Sequence, residues 1–86
     1  MIIGVVNVIS LKDMSVITYA LETYELAKLQ AKELLMGVNF ESRLEMKDKN
    51  GLRQQIHTCV EHIELLVVKE MEVGTKVLEV RNDNQS

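Results

Sequence analysis

Residues 52–71, LRQQIHTCVEHIELLVVKEM, carry the most regular apolar pattern in the chain, and the predicted fold depends on them. Apolar residues recur every three or four positions, at Leu52, Ile56, Cys59, Val60, Ile63, Leu66 and Val67. This spacing fills one face of a helix with 3.6 residues per turn. Polar residues such as Arg53 and Glu61 lie on the opposite side, which is typical of an amphipathic helix.

Two interpretations differ on where this helix ends. The apolar phase continues past Gly74, which favours one long helix over residues 52–80. Alternatively, the helix ends at Val73, Gly74 is the left-handed residue beyond its C-terminus, and residues 75–80 form a strand. We take the long helix as the prediction, followed by a disordered polar tail at residues 81–86.

A first helix is predicted over residues 10–37. Ser10 can cap its N-terminus, and Asp13 places a carboxylate in the first turn. Gly37 is a plausible C-terminal cap. Between them, one side of the helix is apolar, with Met14, Ile17, Ala20, Leu21, Tyr24, Ala27, Ala31, Leu34 and Leu35.

The remaining segments are an N-terminal arm and a connection. Residues 1–9 are rich in β-branched side chains and predict a short strand, whose neighbour could be residues 75–80, the connection or a second subunit. The connection, residues 38–51, fits a strand, a short helix or a loop. Its Asn50-Gly51 pair favours a turn before the second helix, or alternatively a hairpin turn that would make residues 52–56 a strand.

The predicted fold is mainly α: one small domain over residues 1–86, built as a long antiparallel two-helix hairpin with a short N-terminal β-strand. A helix of about 26 residues is about 39 Å long, whereas a compact domain of this size is only about 31 Å across. We therefore expect assembly as a homo-oligomeric helical bundle. The expected interface consists of apolar residues away from the two stripes, namely Tyr19, Leu26, Leu29, Met36, Leu65 and Val68.

Glu70 interrupts the apolar stripe of the second helix. A buried carboxylate needs water or a partner. Lys28 is too far from Glu70 in the predicted hairpin of one chain, so the two could pair only across subunits. An exposed helix end is the favoured interpretation for Glu70. The alternatives are a pair across subunits, for which Glu70 is included in the predicted interface, and a ligand or proton-transfer role.

Composition restricts the classes of function. The chain of 86 residues has a formal net charge of -3, which argues against nucleic acid as a partner because the phosphate backbone is also negative. The N-terminus lacks the basic residues of a signal peptide, and no apolar run is long enough to span a membrane. The single cysteine, Cys59, fits a reducing, cytoplasmic setting.

Basic residues around the connection suggest a ligand site. Positive charge and the amides of a helix start attract anions. A small anionic ligand such as a nucleotide is therefore predicted to bind at Arg43, Lys47, Lys49, Asn50, Gly51 and Arg53.

Metal and catalytic sites are not predicted. Cys59 and His62 share a helix face, but His57 lies about 140° from His62 around the axis, so these residues do not form a tetrahedral set. Motifs for phosphate loops or nucleophilic catalysis are absent from the sequence, and no cofactor is expected.

The functional prediction is a small non-enzymatic regulatory or adaptor protein that acts through protein-protein interaction and self-association, with helix faces as the recognition surfaces. The first alternative is an oligomeric binding protein that captures a small anionic ligand near the basic turn. The second alternative is a small enzyme.

Overall fold

The computed structural model describes residues 1–74, which form an antiparallel sheet and, within that range, one helix. The strands run in the spatial order β2-β1-β6-β5-β3, and the short β4 also pairs with β5. The elements in chain order are β1 (Ile2–Ser10), β2 (Val16–Leu21), α1 (Tyr24–Leu34), β3 (Phe40–Ser42), β4 (Met46–Lys47), β5 (Arg53–Cys59) and β6 (Glu64–Glu72).

The predicted mainly α hairpin, and with it the helical bundle, is wrong. The stretch predicted as the second helix is the β5–β6 hairpin, with its turn at residues 60–63. Cys59 and Leu66 are buried on the side of the sheet that faces α1, whereas Ile56 and Val67 form a cross-strand pair on the other side. Val60 and Ile63 belong to the turn and are exposed. The residues of the apparent helical stripe therefore lie in three places: on the face of the sheet toward α1, on the opposite face, and in the turn.

The helix predicted over residues 10–37 is also wrong in its first half. Ser10 is the last residue of β1, and its N–H donates to the carbonyl of Ser15 across a hairpin at 2.9 Å. Asp13 does accept a backbone N–H, but from Ser15 in the turn, at 3.0 Å. The N-cap of α1 is Thr23, whose hydroxyl accepts the N–H of Leu26 at 3.1 Å.

The strand predicted at residues 1–9 is confirmed as β1. Its neighbours are β2 and β6, and neither was among the expected partners. Val6 lies opposite Tyr19 on β2 and opposite Val68 on β6. Strand β1 is therefore an interior strand of the sheet, with both of its backbone edges paired.

The hairpin alternative for Asn50-Gly51 is the one that the structure adopts. Residues 48–52 connect β4 to β5, and Gly51 has φ +78°, a value that glycine accommodates without strain. Gly37, the predicted C-terminal cap, has φ +74° shortly after the C-cap Leu35. Residues 75–80 and 81–86, for which a helix end, a strand and a disordered tail were predicted, lie outside the described residues.

The core lies between α1 and one face of the sheet. Val6 and Val68 are fully buried, and Ala27 and Ala31 on the helix pack above them. Gly4 lies in β1 beneath the start of the helix, where a methyl group would overlap the carbonyl of Thr23 and lie 2.8 Å from the Cβ of Ala27. A side chain at this position would therefore hold α1 away from the sheet.

The position of α1 on the sheet is off-centre. Within residues 1–74 the helix contacts β1, β6 and β2, but none of its Cα atoms lies within 8 Å of a Cα atom of β5 or β3. The sheet therefore extends past the helix on one side, and a groove lies along α1 at that side. At eleven residues, α1 is too short to cross a bilayer, and the described part of the chain contains no other helix.

Candidate functional site

A groove between α1, β3 and β5 is the candidate site. It encloses about 410 Å³, which is within the usual range for small-molecule sites. Residues from the helix and from the two strands line it, namely Lys28, Ala31, Lys32, Leu35, Met36, Phe40, Gln55 and His57.

The helix supplies one wall through residues spaced three and four apart. Lys28, Ala31, Lys32 and Leu35 share a face of α1 and its C-cap because a helix repeats every 3.6 residues. Ala31 is buried and small, which leaves space above β5. Met36 follows at the end of the helix and exposes 75% of its surface. This wall is apolar, with two cations above it.

The strands supply the opposite wall. Gln55 and His57 are two residues apart on β5 and therefore point to the same face of the sheet. The rings of Phe40 on β3 and His57 form a T-shaped pair, with the ring centroids 5.6 Å apart and the planes at 90°. The aromatic side chain and the imidazole hold each other in place at the mouth of the groove.

His57 is the titratable group of this wall. Burial lowers the pKa of the imidazole from its ordinary value of 6.5, so the ring is neutral at pH 7. Its Nδ1 atom lies 2.6 Å from the hydroxyl of Ser42. When that hydroxyl donates to Nδ1, the ring carries its proton on Nε2, which can then donate a hydrogen bond. His57 therefore offers a polar contact without a formal charge.

The two lysines of the groove differ in their partners. Lys28 Nζ forms an ion pair with Glu25 at 2.9 Å and lies 5.1 Å from the centre of the Tyr24 ring. Lys32 forms no ion pair within residues 1–74 and is exposed. Lys32 is therefore the cation that is most available to an incoming anion.

A network of polar contacts surrounds Arg53, which lies on β5 two residues before the groove residue Gln55. The guanidinium donates to both carboxylate oxygens of Glu70, at 3.0 and 3.2 Å, and the backbone N–H of Arg53 donates to the same carboxylate at 2.8 Å. The guanidinium also lies 4.4 Å from the centre of the Tyr24 ring and 3.4 Å from Glu25. Hydrogen bonds from the Arg53 side chain lower the pKa of the Glu70 carboxyl below its ordinary value of 4.5.

Tyr24 anchors the same network from the helix. Its hydroxyl donates to Glu45 at 2.9 Å, and burial together with this carboxylate raises the pKa of the phenol. The ring itself is buried in the core. Tyr24 is therefore a packing residue with a bonded polar tip, which links the helix to the loop before β4.

The predicted anion-binding residues are only partly brought together. Lys47, Lys49, Asn50 and Gly51 lie on β4 and its turn, and Arg43 lies in the loop after β3. The expected helix start is absent, and the carboxylate of Asp48 accepts the N–H groups of Asn50 and Leu52 at 2.8 and 3.0 Å. Arg53 lies on the same face of β5 as the groove residues Gln55 and His57, but its guanidinium is bonded to Glu70.

The predicted interface residues fall into different environments. Val68 is in the core, and Tyr19 packs against it. Glu70 has its partner, Arg53, in the same chain. Leu65 is half-buried on the face of the sheet away from α1, whereas Leu26 and Leu29 are exposed on the helix. Met36, the last of these residues, lines the groove.

Seven groove residues were not among the predicted site residues: Lys28, Ala31, Lys32, Leu35, Phe40, Gln55 and His57. The signal for two of them is an alternation of period two, because Arg53, Gln55, His57 and Cys59 share one strand face. Cys59 itself is buried at the end of β5, and burial raises the pKa of its thiol. Within residues 1–74, no three side chains of the metal-ligating types are placed together to hold an ion.

A scan against protein-family models, a search of curated proteins and a search of solved structures each found no match to this chain. Its function is therefore inferred from the contacts and charges of the groove.

Proposed function

We propose that this protein binds a small amphipathic anion, a molecule with an apolar body and a single acidic group, in the groove between α1, β3 and β5. The observation that carries this proposal is the juxtaposition of an apolar wall with the exposed Lys32. The prediction of an anionic ligand is kept, but its site moves from the basic turn to the groove.

The apolar body of the ligand would lie along the helix wall. Ala31, Leu35, Met36 and Phe40 present only carbon and sulfur atoms to the groove with their side chains. Met36 and Phe40 expose 75% and 42% of their surfaces, so a ligand can remove apolar area from water at both. A flexible thioether and an aromatic ring can adapt to an acyl chain or to a small ring.

The acidic group of the ligand would lie at the cationic rim. Lys32 provides the unpaired charge, while Lys28 is already partly neutralised by Glu25. Gln55 and the neutral His57 can donate hydrogen bonds from the other wall. One charge and neutral donors match a monocarboxylate or a comparable monoanion better than a nucleotide, which carries several negative charges.

Binding without catalysis is the proposed mode of action. Ser42 and His57 are within hydrogen-bond distance, yet among the described residues no carboxylate bonds to the imidazole to orient it as a base. We also place the protein in the cytoplasm, where a single reduced cysteine is expected.

Regulation through protein binding is the second candidate function, and the tips of two hairpins favour it. The turns at residues 11–14 and 60–63 are joined by a hydrogen bond from Leu11 N–H to the carbonyl of Ile63 at 3.0 Å. They present Met14, Val60 and Ile63, which are 73%, 61% and 55% exposed. Ile63 has φ +52°, a strained value for a β-branched residue, and such strain often marks a functional site.

Binding of decanoate and decanol tests the groove directly. Displacement of the fluorescent probe 1-anilinonaphthalene-8-sulfonate reports both ligands, which share a chain and differ in charge. We expect decanoate to bind more tightly than decanol. Lys32→Glu should weaken decanoate binding about threefold to tenfold, because a favourable charge contact becomes a repulsive one, and should leave decanol binding unchanged.

Lys12→Glu is the matched control, because it makes the same change in charge in the turn after β1, outside the groove. It should change decanoate affinity much less than Lys32→Glu. Equal effects of the two substitutions, or no binding of decanoate at millimolar concentration, would contradict the proposed function.

A further inference from the structure

Strand β2 forms one edge of the sheet. It pairs with β1 along its whole length, and no other described strand lies on its outer side. In an antiparallel ladder, alternate residues of an edge strand point their N–H and C=O groups away from the neighbouring strand. The Ser10 N–H donates to the Ser15 carbonyl, so the backbone groups of Ser15 point toward β1. By alternation, the backbone groups of Val16, Thr18 and Ala20 point outward.

The two edges of the sheet differ in length and charge. At the other edge, β3 has three residues, and Glu41 and Arg43 lie within or beside it. By contrast, β2 has six residues, and no charged residue occurs from position 14 to position 21. Short, charged edges resist pairing with further strands, whereas a long uncharged edge accepts them. The edge formed by β2 is therefore the one that can pair with a further strand.

We propose that β2 pairs antiparallel with β2 of a second copy of this chain, around a twofold axis at Thr18. The outward backbone groups allow pairing only between residues that carry them. Centring on Thr18 uses all three, since Val16 then lies opposite Ala20 of the second copy and Thr18 lies opposite Thr18. The two sheets would join into one continuous sheet.

Side chains across this interface are compatible in the same register. Ile17 lies opposite Tyr19 of the second copy on the face that carries the helix, which makes an aromatic and β-branched pair. Val16 and Ile17 are each 56% exposed in the single chain, so the pairing removes apolar surface from water. Because the pair of Thr18 residues is uncharged, no like charges face each other at the centre of the interface.

A second copy is favoured over a different protein by the charge of the strand. Around a twofold axis at Thr18, a charge on β2 near the axis would lie close to the same charge of the second copy and repel it, and β2 has no charged residue. The interface is also closed, because the twofold axis uses up the β2 edge of both copies and leaves two short β3 edges outside. The assembly should stop at two chains.

A charge exchange at Thr18 tests this pairing. Light scattering coupled to size-exclusion chromatography should give twice the 9.8 kDa of one chain at about 100 µM, with dissociation on dilution because the interface is small. Thr18→Lys and Thr18→Glu should each be monomeric, because each places two like charges directly opposite one another. An equimolar mixture of the two variants should restore the dimer.

Glu41→Gln is the control at the opposite edge, since it changes the net charge by the same amount as Thr18→Lys and should leave the dimer intact. A chain of residues 1–86 that is monomeric up to about 500 µM would overturn the proposal. Dimers that persist in both single variants would also overturn it. Decanoate binding should be unaffected by Thr18→Lys, so the outcome is separable from that of the groove.

Discussion

The face of the sheet beneath α1 has two halves that differ in how closely the helix approaches. Over β1 and β6, Val6 and Val68 are fully buried, and Gly4 lets the start of the helix come near the strand. Over β5 and β3, the helix is too far away to fill the space, and a groove of about 410 Å³ lies between them. One half contributes stability, and the other contains the proposed binding site.

This difference follows from the size of the elements. An eleven-residue helix cannot cover a sheet whose strands span the order β2-β1-β6-β5-β3. The closely packed half is therefore sensitive to added volume, whereas the groove half tolerates changes in its side chains. Substitutions in the two halves should separate stability from binding.

Gly4→Ala should have the largest effect, because the added methyl group would overlap the backbone of Thr23. We expect a loss of about 3 kcal/mol or more in the free energy of unfolding, measured by urea denaturation. Gly74→Ala is the control, since no atom of the described residues 1–74 lies within 4 Å of a Cβ atom there. Equal stability of the two variants would show that α1 does not pack closely on β1.

Glu70→Gln should have an intermediate effect that depends on pH. The folded protein lowers the pKa of Glu70 below 4.5, so its ion pair with Arg53 stabilises the fold at neutral pH, and that contribution is lost as the pH falls through the folded pKa. The variant should therefore be less stable than the wild type at pH 7, and the difference should shrink as the pH falls below 4.5 and through the folded pKa of Glu70. Thermal unfolding across this pH range measures it.

Glu41→Gln gives the comparison for this titration. Glu41 is exposed on β3, and its pairing partner there is Thr58. The free energy of unfolding of the Glu41→Gln variant should equal that of the wild type at every pH. A constant difference between Glu70→Gln and the wild type from pH 7 to pH 2 would mean that Glu70 acts through its shape rather than its charge.

Phe40→Ala should have the smallest effect on stability, about 1 kcal/mol, because the ring is 42% exposed. Decanoate affinity should fall about fivefold, since the ring lines the groove. Leu44→Ala, at a loop residue that is 89% exposed, should change neither property. Unaltered binding by Phe40→Ala would indicate that β3 is not part of the site.

Part of this fold could be predicted from the sequence. The β-branched residues of β1 indicate a strand, and Asn50-Gly51 indicates a hairpin turn. Tyr24, Ala27, Ala31 and Leu35 are spaced as one helix face, and they do form the buried face of α1 and its cap. Each of these features depends on residues that are close together in the sequence, so the sequence alone can predict it.

The β5–β6 hairpin could not be recognised by periodicity, because its apolar residues mimic a helical stripe across a turn. Val60 and Ile63 complete the stripe, although the structure exposes both in the turn. The start of α1 was misplaced for a similar reason, since Ser10 and Asp13 resemble a cap but belong to a hairpin turn. Whether these residues form a helix or a hairpin depends on which strands pair in the folded chain. A single sequence does not show that pairing.

The groove was missed because it depends on the same pairing. Lys32 and His57 are distant in sequence and meet only when the helix lies over the sheet. An anionic ligand was predicted from basic residues, but the basic turn has its own carboxylate, Asp48, bonded to its amides. Charge composition suggested the kind of ligand, and only the fold showed where apolar surface accompanies the charge.

Because Cys59 is buried, its reaction with a thiol reagent measures how often this part of the protein opens locally. The chain has one cysteine, its side chain is 6% exposed, and the thiol is held protonated by its surroundings. A thiol-specific reagent can therefore react only in molecules whose β5 end has opened, and the rate of labelling counts those openings. No engineered probe is needed to follow them in the wild-type protein.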